Sequence, residues 1–544
     1  MCKASVEQGV ATAAGRNSFD YVIVGAGSAG CLLAERLSAN PAHSVALLEA
    51  GPDATGWPLR VPAALPLLLR SRRYNWAFET VPQPPLYNRR LYWPRGRVVG
   101  GSSSINAMCA VRGPAADFDA WASQAGENWT WAELAPLMEA ISANAEDGAP
   151  DRLAISPLRY RHPISQAFVA AAREAGYPEL EDFNADRPDG VGFYPVFQRG
   201  GERWENARAF LDPSRSRANL HILADSRVLN VELDEARRAT GVRIRRRDGS
   251  VQSIAAHREV ILAAGAVGSP HLLLLSGIGP LEELRAFGVG VRHELSGVGR
   301  NLQDHLDVTV VCYARGGGLS ARPHELPARA RAIWEYAKQR KGPFTSNLAE
   351  AGGFIRSRPG LDRPDLQLHF LPAVQQDHGR KLVRTVLFPG CALHVCGLYP
   401  KSRGRIGLDA PDPLAPPRID PAYLSDETDL ETLKAGLRKV FDILRQPALA
   451  AYRLRPFIPR RFPEADPELD EFVRARAETI YHPVGTCRMG SDAGAVVDPQ
   501  LRVRGIRGLR VADASVMPSL IGANTNIATT LIAEKAARLV LAGD

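Results

Sequence analysis

YVIVGAGSAGCLLAERL, at residues 21–37, is the stretch that decides the fold. Four apolar residues, which predict a buried strand, run into a Gly-x-Gly-x-x-Gly turn made by Gly25, Gly27 and Gly30, and a helical pattern follows. A second apolar run at residues 45–48 ends at Glu49. This order of strand, glycine turn, helix and strand is a βαβ unit. It predicts an α/β protein with a Rossmann-type domain for a dinucleotide.

The residues of this turn have the properties that a dinucleotide requires. The glycines permit a tight turn, close approach to a pyrophosphate and close helix–strand packing. The helix start, at Ser28 and Ala29, offers unpaired N–H groups and a positive dipole end to the phosphates. Glu49, followed by Ala50, is placed to accept hydrogen bonds from ribose hydroxyls, and its charge disfavours the 2′-phosphate of NADP.

The length of 544 residues predicts two domains or one large composite unit. The dinucleotide motif opens the chain, whereas other motifs that carry chemistry cluster at its end. We therefore expect a cofactor domain built from residues 18–155, 200–312 and 473–544, and a sheet-and-helix substrate domain built from residues 156–199 and 313–472. Residues 1–17 are predicted to be a flexible leader, and residues 132–176 are predicted to be mainly helical.

Composition narrows the functional class. The net charge is +8, but the chain has no basic block with interleaved aromatic residues, which argues against nucleic-acid binding. The seven cysteines are an odd number without metal-type clustering, so we expect reduced thiols, no metal site and a cytoplasmic protein. No apolar run is long enough to span a bilayer. The apolar run at residues 61–69 is expected to pack over the cofactor, with a lid or a membrane contact as the alternative. The positive charge is compatible with peripheral contact at the inner face of the cytoplasmic membrane.

A second segment, GRVVGGSSSINAM at residues 96–108, favours FAD over NAD. Gly100 and Gly101, followed by hydroxyl side chains from Ser102 onward, can bring backbone and hydroxyl donors against a diphosphate and an isoalloxazine ring. A third segment, residues 259–265, reads as a strand that ends in Ala264 and Gly265 and leads into a helix.

With these segments, the chain resembles the glucose–methanol–choline (GMC) oxidoreductases, a family that binds FAD. Residues 96–106 and GAVGSPHLLLLSGIG at residues 265–279 match both long family signatures, and the likeness runs from Phe19 to the C-terminus. Residues 346–354, 369–381 and 399–408 carry a closer likeness to bacterial dehydrogenases of aliphatic alcohols, polyethylene glycol and choline.

The resemblance implies a set of cofactor-contacting residues. Some relatives attach FAD covalently through a His in the Gly-Gly loop, but Ile105 occupies that position here, so non-covalent FAD is expected. Together, motif and resemblance assign to the cofactor Gly25, Gly27, Ser28, Ala29, Gly30, Glu49, Ala50, Trp76, Arg97, Val99, Gly100, Gly101, Ser102, Asn106, Ala107, Met108, Val228, Ala264, Gly265, Asp513, Ala514, Asn524 and Thr525.

Removal of hydride from an alcohol also requires a base for the hydroxyl proton, and His is suited to this near neutral pH. His482, followed by Pro483, matches the catalytic His of the family. Asn526 matches the second catalytic position, where its amide would hydrogen-bond the substrate oxygen. Glu350 is a candidate for the substrate pocket, where it would attract a choline ammonium group; an ion pair with an arginine is the alternative.

The expected function is FAD-dependent oxidation of a primary, aliphatic alcohol to the aldehyde, with His482 as the base and a quinone or other respiratory component as electron acceptor. The alternatives are an oxidase that uses O₂, a choline dehydrogenase and a non-redox hydroxynitrile lyase. Photodecarboxylase relatives lack the catalytic His, so His482 argues against that chemistry.

Overall fold

The computed structural model describes residues 16–148, 151–319, 326–375 and 387–543. Residues 1–15 of the predicted leader lie outside the described residues. Within those ranges the helices are α1 (Ser28–Leu37), α2 (Leu65–Arg70), α3 (Ala115–Ala125), α4 (Trp131–Ile141), α5 (Pro163–Glu174), α6 (Asp212–Ser214), α7 (Gly265–Leu275), α8 (Leu281–Ala286), α9 (Leu326–Gln339), α10 (Glu427–Leu444), α11 (Asp466–Arg476) and α12 (Asn526–Leu541). The strands are β1 (Ser18–Val24), β2 (Val45–Leu48), β3 (Phe78–Glu79), β4 (Tyr92–Trp93), β5 (Ser142–Asn144), β6 (Leu153–Ser156), β7 (Gly190–Phe193), β8 (Val196–Arg199), β9 (Glu202–Arg203), β10 (Leu220–Leu223), β11 (Ser226–Leu233), β12 (Ala239–Arg246), β13 (Val251–Leu262), β14 (Ile278–Gly279), β15 (His293–Glu294), β16 (Leu306–Tyr313), β17 (Ala351–Ile355), β18 (Leu366–Leu371), β19 (Gly390–Gly397), β20 (Arg405–Gly407), β21 (Arg418–Asp420), β22 (Arg455–Ile458), β23 (Glu478–Thr479) and β24 (Leu509–Val511).

The first large sheet contains the predicted βαβ unit. Its strand order is β10-β2-β1-β13-β12-β11, and β24 pairs with β13. β10, β2, β1, β13 and β24 run parallel, and α1 packs against α12 beside them. Most residues of β1 and all of β2 are buried, which is why both strands read as continuous apolar runs. The predicted α/β fold class with its Rossmann-type unit is confirmed.

The second large sheet is antiparallel, with the order β22-β16-β19-β18-β17-β7 and with β23 beside β16. α10 packs against β19. β16 belongs to this sheet, although the predicted boundary assigns its residues up to 312 to the cofactor domain. Apart from this observation, the division into two domains stays a prediction.

The predicted helical stretch at residues 132–176 is interrupted. α4 ends at Ile141, residues 142–144 and 153–156 form β5 and β6, and α5 begins only at Pro163. β6 pairs with β8, which lies some forty residues further along the chain. The helical prediction was therefore correct for the stretches within α4 and α5 and wrong for residues 142–156, where pairing with a distant strand decides the structure.

Candidate active site

One cavity is lined by residues from both large sheets and from the chain that joins them. Most of the predicted cofactor residues line it together with His482 and Asn526. These are Gly25, Gly27, Ser28, Ala29, Glu49, Ala50, Trp76, Gly101, Ser102, Asn106, Ala107, Met108, Val228, Ala264, Gly265, Asp513, Ala514, Asn524 and Thr525. Gly30, Arg97, Val99, Gly100 and Glu350 are not among the lining residues.

Two glycines of the turn differ in the space that surrounds them. A Cβ at Gly30 would lie 1.9 Å from the carbonyl oxygen of Gly25, so the fold itself requires this glycine. A Cβ at Gly27 would meet no protein atom closer than 4.0 Å, although Gly27 lines the cavity. Protein packing therefore leaves space at Gly27 that a ligand can fill, as expected where a pyrophosphate approaches the backbone.

The start of α1 is available to an anion. Gly27 is its N-cap, and no side chain caps the first turn. The first N–H groups of the helix therefore face the cavity without a side-chain acceptor. The second glycine loop closes on this turn, because Gly100 N donates to Ala26 O at 2.7 Å. Gly100 thus shapes the cavity without lining it.

Glu49 lies at the end of β2 with its carboxylate oxygens held by the backbone. Oε2 accepts from Ala26 N at 3.1 Å, and Oε1 accepts from Gly51 N at 2.9 Å. Burial raises the pKa of Glu49 to about 7, and these hydrogen bonds oppose that rise. This position allows the carboxylate to accept hydrogen bonds from the hydroxyl groups of a ribose at this edge of the cavity.

Two further groups bound the cofactor part of the cavity. Asp513 Oδ2 accepts from Gly265 N at 2.8 Å and from Ser269 Oγ at 2.5 Å, which fixes the start of α7. The guanidinium groups of Arg97 and Arg227 each lie 5.2 Å from the ring centre of Trp76. Arg97 therefore contacts Trp76, which lines the cavity, without lining the cavity itself. Together, the open space at Gly27, the free helix start and the carboxylate of Glu49 fit a dinucleotide such as FAD.

His482 is held rigidly where β23 ends. Tyr481 has a φ of 71°, and Pro483 restricts the next backbone unit. The His482 N–H donates to Asp304 Oδ1 at 2.7 Å. Arg95 Nη2 donates to the carbonyl of Tyr481 at 2.6 Å. Both backbone groups around His482 are thereby paired, so the imidazole has a fixed position in the cavity wall.

The tautomer of His482 follows from its neighbour His305. The Nδ1 atoms of the two rings lie 2.9 Å apart, and His305 Nε2 lies 3.0 Å from the carbonyl oxygen of Leu398. A carbonyl only accepts, so His305 carries its proton on Nε2. Burial lowers the pKa of His305 to about 4, so the ring is neutral and its Nδ1 accepts. His482 must then donate from Nδ1, which leaves its Nε2 without a proton.

Electrostatics keep His482 in this neutral form. Burial lowers the pKa of His482 well below its usual value, and His305, His369 and Arg95 add to the decrease. Burial also lowers the pKa of His369 to about 3. His369 lines the cavity, and its Nδ1 has no hydrogen-bond partner among the described residues. The cavity thus presents unprotonated imidazole nitrogen near neutral pH.

The two predicted asparagines at the start of α12 occupy different places. Asn524 Nδ2 lies 3.2 Å from His482 Nε2, and its Oδ1 accepts from Gln367 Nε2 at 3.2 Å. Asn526 Oδ1 instead accepts from Ser28 Oγ at 2.7 Å, and its Nδ2 donates to Asn206 Oδ1 at 3.3 Å. The structure therefore brings Asn524, and not Asn526, next to His482.

Glu350 is not among the residues that line the cavity, and its carboxylate pairs with no arginine of the described residues. The residue is fully buried, and its carboxylate accepts from His162 N, Ser165 Oγ and Ser346 Oγ at 2.7, 2.8 and 2.6 Å. These three neutral donors satisfy the carboxylate, which explains why it needs no arginine. Burial raises the pKa of Glu350. The geometry thus argues against a role for Glu350 in the substrate pocket.

Sequence reasoning missed the residues that support His482. These are Asp304, His305, Arg95 and His369. For Asp304 and His305, the sequence offered one sign, a mostly polar run at residues 301–305 directly before an apolar strand.

Within the described ranges, no cluster of three or more His, Cys, Asp or Glu residues has a geometry suited to a metal ion.

Comparisons with known proteins show which family this chain is similar to. The family model "GMC oxidoreductase" matches residues 19–307 with its N-terminal part and residues 400–533 with its C-terminal part. An alcohol dehydrogenase [acceptor] of Pseudomonas putida is 46% identical, with 96% of each chain covered. The mitochondrial choline dehydrogenase of Mus musculus is 42% identical and covers 97% of this chain and 90% of its own.

Among solved structures, pyridoxine 4-oxidase from Mesorbium loti superposes with a TM-score of 0.84 at 34% identity, over 96% of this chain and 98% of its own. The family model and the relatives that cover nearly the whole chain give the same family. They confirm the resemblance found in the sequence. The chain belongs to the GMC oxidoreductase family.

Proposed function

We propose that this protein oxidises an uncharged primary alcohol to the aldehyde with non-covalently bound FAD, with His482 as the base and Asn524 as its partner. The observation that carries the proposal is the unprotonated Nε2 of His482, which lies 3.2 Å from Asn524 Nδ2 in the cavity. An acceptor and a donor side by side are what an alcohol oxygen needs as it loses its proton.

FAD in this cavity would supply the hydride acceptor. The chain's own residues manage the proton and the oxygen. His482 Nε2 accepts the hydroxyl proton, while Asn524 Nδ2 donates to the oxygen on which negative charge develops. His305 Nδ1 accepts the hydrogen bond from His482 Nδ1 throughout, which keeps that proton on Nδ1 and leaves Nε2 free to take the substrate proton. Ile105, at the position of the covalent His of some relatives, has no group that could bond to the flavin.

An uncharged substrate is favoured over choline because the acidic side chains that line the cavity are already engaged. Among its described lining residues, Glu49 and Asp513 are the acidic ones, and both are engaged by backbone N–H groups in the cofactor part. Apolar residues that line the cavity include Leu348, Leu371 and Ile480. No described carboxylate is therefore available there for an ammonium group. Choline remains the second candidate because choline dehydrogenases are 42% identical.

The electron acceptor is proposed to be a quinone or another respiratory component. This proposal is supported by the likeness to the dehydrogenase of Pseudomonas putida whose name specifies an acceptor. Likeness to an oxidase, pyridoxine 4-oxidase, keeps O₂ as the alternative.

The experiment is anaerobic stopped-flow mixing of the FAD-bound protein with 1-octanol, 1-butanol, benzyl alcohol and choline, followed by flavin absorbance. We expect rapid bleaching by the uncharged alcohols, slow or absent bleaching by choline, and loss of bleaching in His482→Ala with FAD retained. Admission of air then separates an oxidase from a dehydrogenase. Bound flavin that no alcohol reduces would overturn the proposal in favour of lyase chemistry.

A further inference from the structure

Four large apolar side chains are exposed on two segments of the surface. Trp57 and Leu67 are 64% and 47% exposed, and Ile333 and Trp334 of α9 are 58% and 55% exposed. Exposure of single apolar residues is ordinary, but two tryptophans on adjoining segments are not. Tryptophan is enriched where protein meets the interface of a membrane.

The two segments, residues 57–73 and 326–341, are neighbours on β9. Arg203 N donates to the carbonyl of Arg60 at 2.9 Å, which ties the first segment to β9. Arg340 Nε lies 3.2 Å from Glu202 Oε1, which ties the second segment to the same strand. The short turns Pro62–Ala64 and Pro343–Thr345 also contact each other. We call the exposed side of these two segments the docking face.

Charge distinguishes the docking face from an ordinary apolar patch. Its two segments contain nine Lys and Arg residues and one acidic residue, Glu335, so their formal charge of +8 equals the net charge of the whole chain. Arg60, Arg70, Arg72 and Arg73 are all exposed. Cationic side chains around exposed tryptophan match the surface of a bilayer with anionic lipids.

The orientation of α9 agrees with contact between the docking face and a bilayer surface. Ala332 and Tyr336 are buried, so the helix lies along the protein surface with one side turned inward. Ile333 and Trp334 occupy the outward side, next to the exposed cations Arg331 and Lys338. An amphipathic helix with this arrangement lies in the plane of a membrane interface. Within the described residues, no helix is long and apolar enough to cross a bilayer.

The docking face is continuous with the wall of the active-site cavity. Leu65 and Leu69 of α2 line the cavity, whereas Leu67 on the same helix is exposed. Asn347 and Leu348, shortly after the second segment, also line the cavity. We propose that the docking face binds the surface of an anionic lipid bilayer, so that apolar alcohols reach the cavity from the membrane. This access route rests on the proposed alcohol oxidation, whereas docking itself does not.

The test is co-sedimentation of the purified FAD-bound protein with vesicles of phosphatidylcholine alone or mixed with equimolar phosphatidylglycerol. We expect binding to the mixed vesicles that weakens with added salt. The double variant Trp57→Ser/Trp334→Ser should bind at least about tenfold more weakly, because two large side chains no longer enter the interface. Arg72→Gln and Lys338→Gln should each weaken binding about fivefold, since a cation near an anionic surface contributes about 1 kcal/mol.

Val251→Ser is the matched control, because Val251 is 54% exposed in the β12–β13 hairpin, outside the docking face. It should bind vesicles as the wild-type protein does. Flavin reduction by 1-butanol in solution should be unchanged in all these variants, which separates a failure of docking from a failure of the proposed chemistry. Absence of wild-type binding, equal binding by the tryptophan variant, or a dimer that only this variant disrupts would overturn the proposal.

Discussion

The Nδ1 atom of His305 lies 2.9 Å from the Nδ1 atom of His482, and the other nitrogen of His305 is bound to the carbonyl oxygen of Leu398. This chain of two hydrogen bonds has one direction, because it ends on a carbonyl that only accepts. Its consequence is that the cavity-facing Nε2 of His482 carries no proton. The backbone carbonyl of Leu398, directly after β19, thus determines which nitrogen of His482 is available as a base.

The first prediction concerns His305 as a positioning residue. His305→Ala should lower the rate constant of flavin reduction about 10²-fold, because His482 can then carry its proton on Nε2, the wrong nitrogen. His305→Gln should recover most of the rate, since its amide can accept from His482 and donate to Leu398. Stopped-flow reduction at saturating alcohol measures both variants. Equal rates in His305→Ala and wild type would contradict the assignment.

The second prediction separates the two asparagines at the start of α12. Asn524→Ala should lower the reduction rate constant by about 10²–10³-fold with FAD retained, because it removes the donor to the substrate oxygen. Asn526→Ala should mainly weaken FAD binding, since Asn526 ties Ser28 at the start of α1 to Asn206. Rapid kinetics and flavin titration of the two variants, side by side, check this. The reverse pattern would restore Asn526 as the catalytic partner.

The third prediction uses Gly27 and Gly30 as a matched pair. Gly30→Ala should destabilise the fold, because its Cβ would lie 1.9 Å from a carbonyl oxygen. Gly27→Ala should leave the melting temperature of the FAD-free protein near that of the wild type, since its Cβ would meet no protein atom closer than 4.0 Å, but should reduce FAD affinity. Thermal unfolding with and without FAD distinguishes them. Full FAD affinity in Gly27→Ala would show that the cofactor does not approach this residue.

The fourth prediction concerns Glu350. Glu350→Gln should destabilise the protein by about 1–3 kcal/mol, because one of three buried donors then faces an amide group instead of a carboxylate oxygen. The ratio of choline to 1-butanol reactivity should stay within about twofold, since the side chain lies outside the cavity. Urea unfolding and substrate competition test the two parts. A selective loss of choline reactivity would contradict this placement.

The fifth prediction concerns pH. The pKa of His482 is lowered well below its usual value, so its basic form is present at pH values above that lowered pKa and is lost only as the pH falls through it. Flavin reduction should therefore be independent of pH between about pH 7 and 9 and should decline only at more acidic pH. Single-turnover reduction rates across this range provide the measurement. An inflection above pH 7 in the reduction rate constant of the wild-type protein would contradict the prediction.

Local sequence was sufficient for the cofactor fold. The strand, the glycines and the helix at residues 21–37 are consecutive, so each requirement of the dinucleotide turn could be read from neighbouring positions. The resemblance to GMC oxidoreductases likewise rested on continuous segments, and it made His482 the candidate base. Local sequence failed at residues 142–156, between α4 and α5, where β6 pairs with a distant strand.

The sequence by itself determined the family, the Rossmann-type unit and the histidine in the cavity wall. Only the tertiary structure decided what surrounds that histidine. Asn524 and Asn526 are two positions apart, and spacing cannot tell which one faces His482. Asp304 and His305 lie more than 170 residues before His482, so no local pattern connects them. Hydrogen bonds depend on direction as well as distance, and direction is set only when β16, β23 and α12 are packed around one cavity.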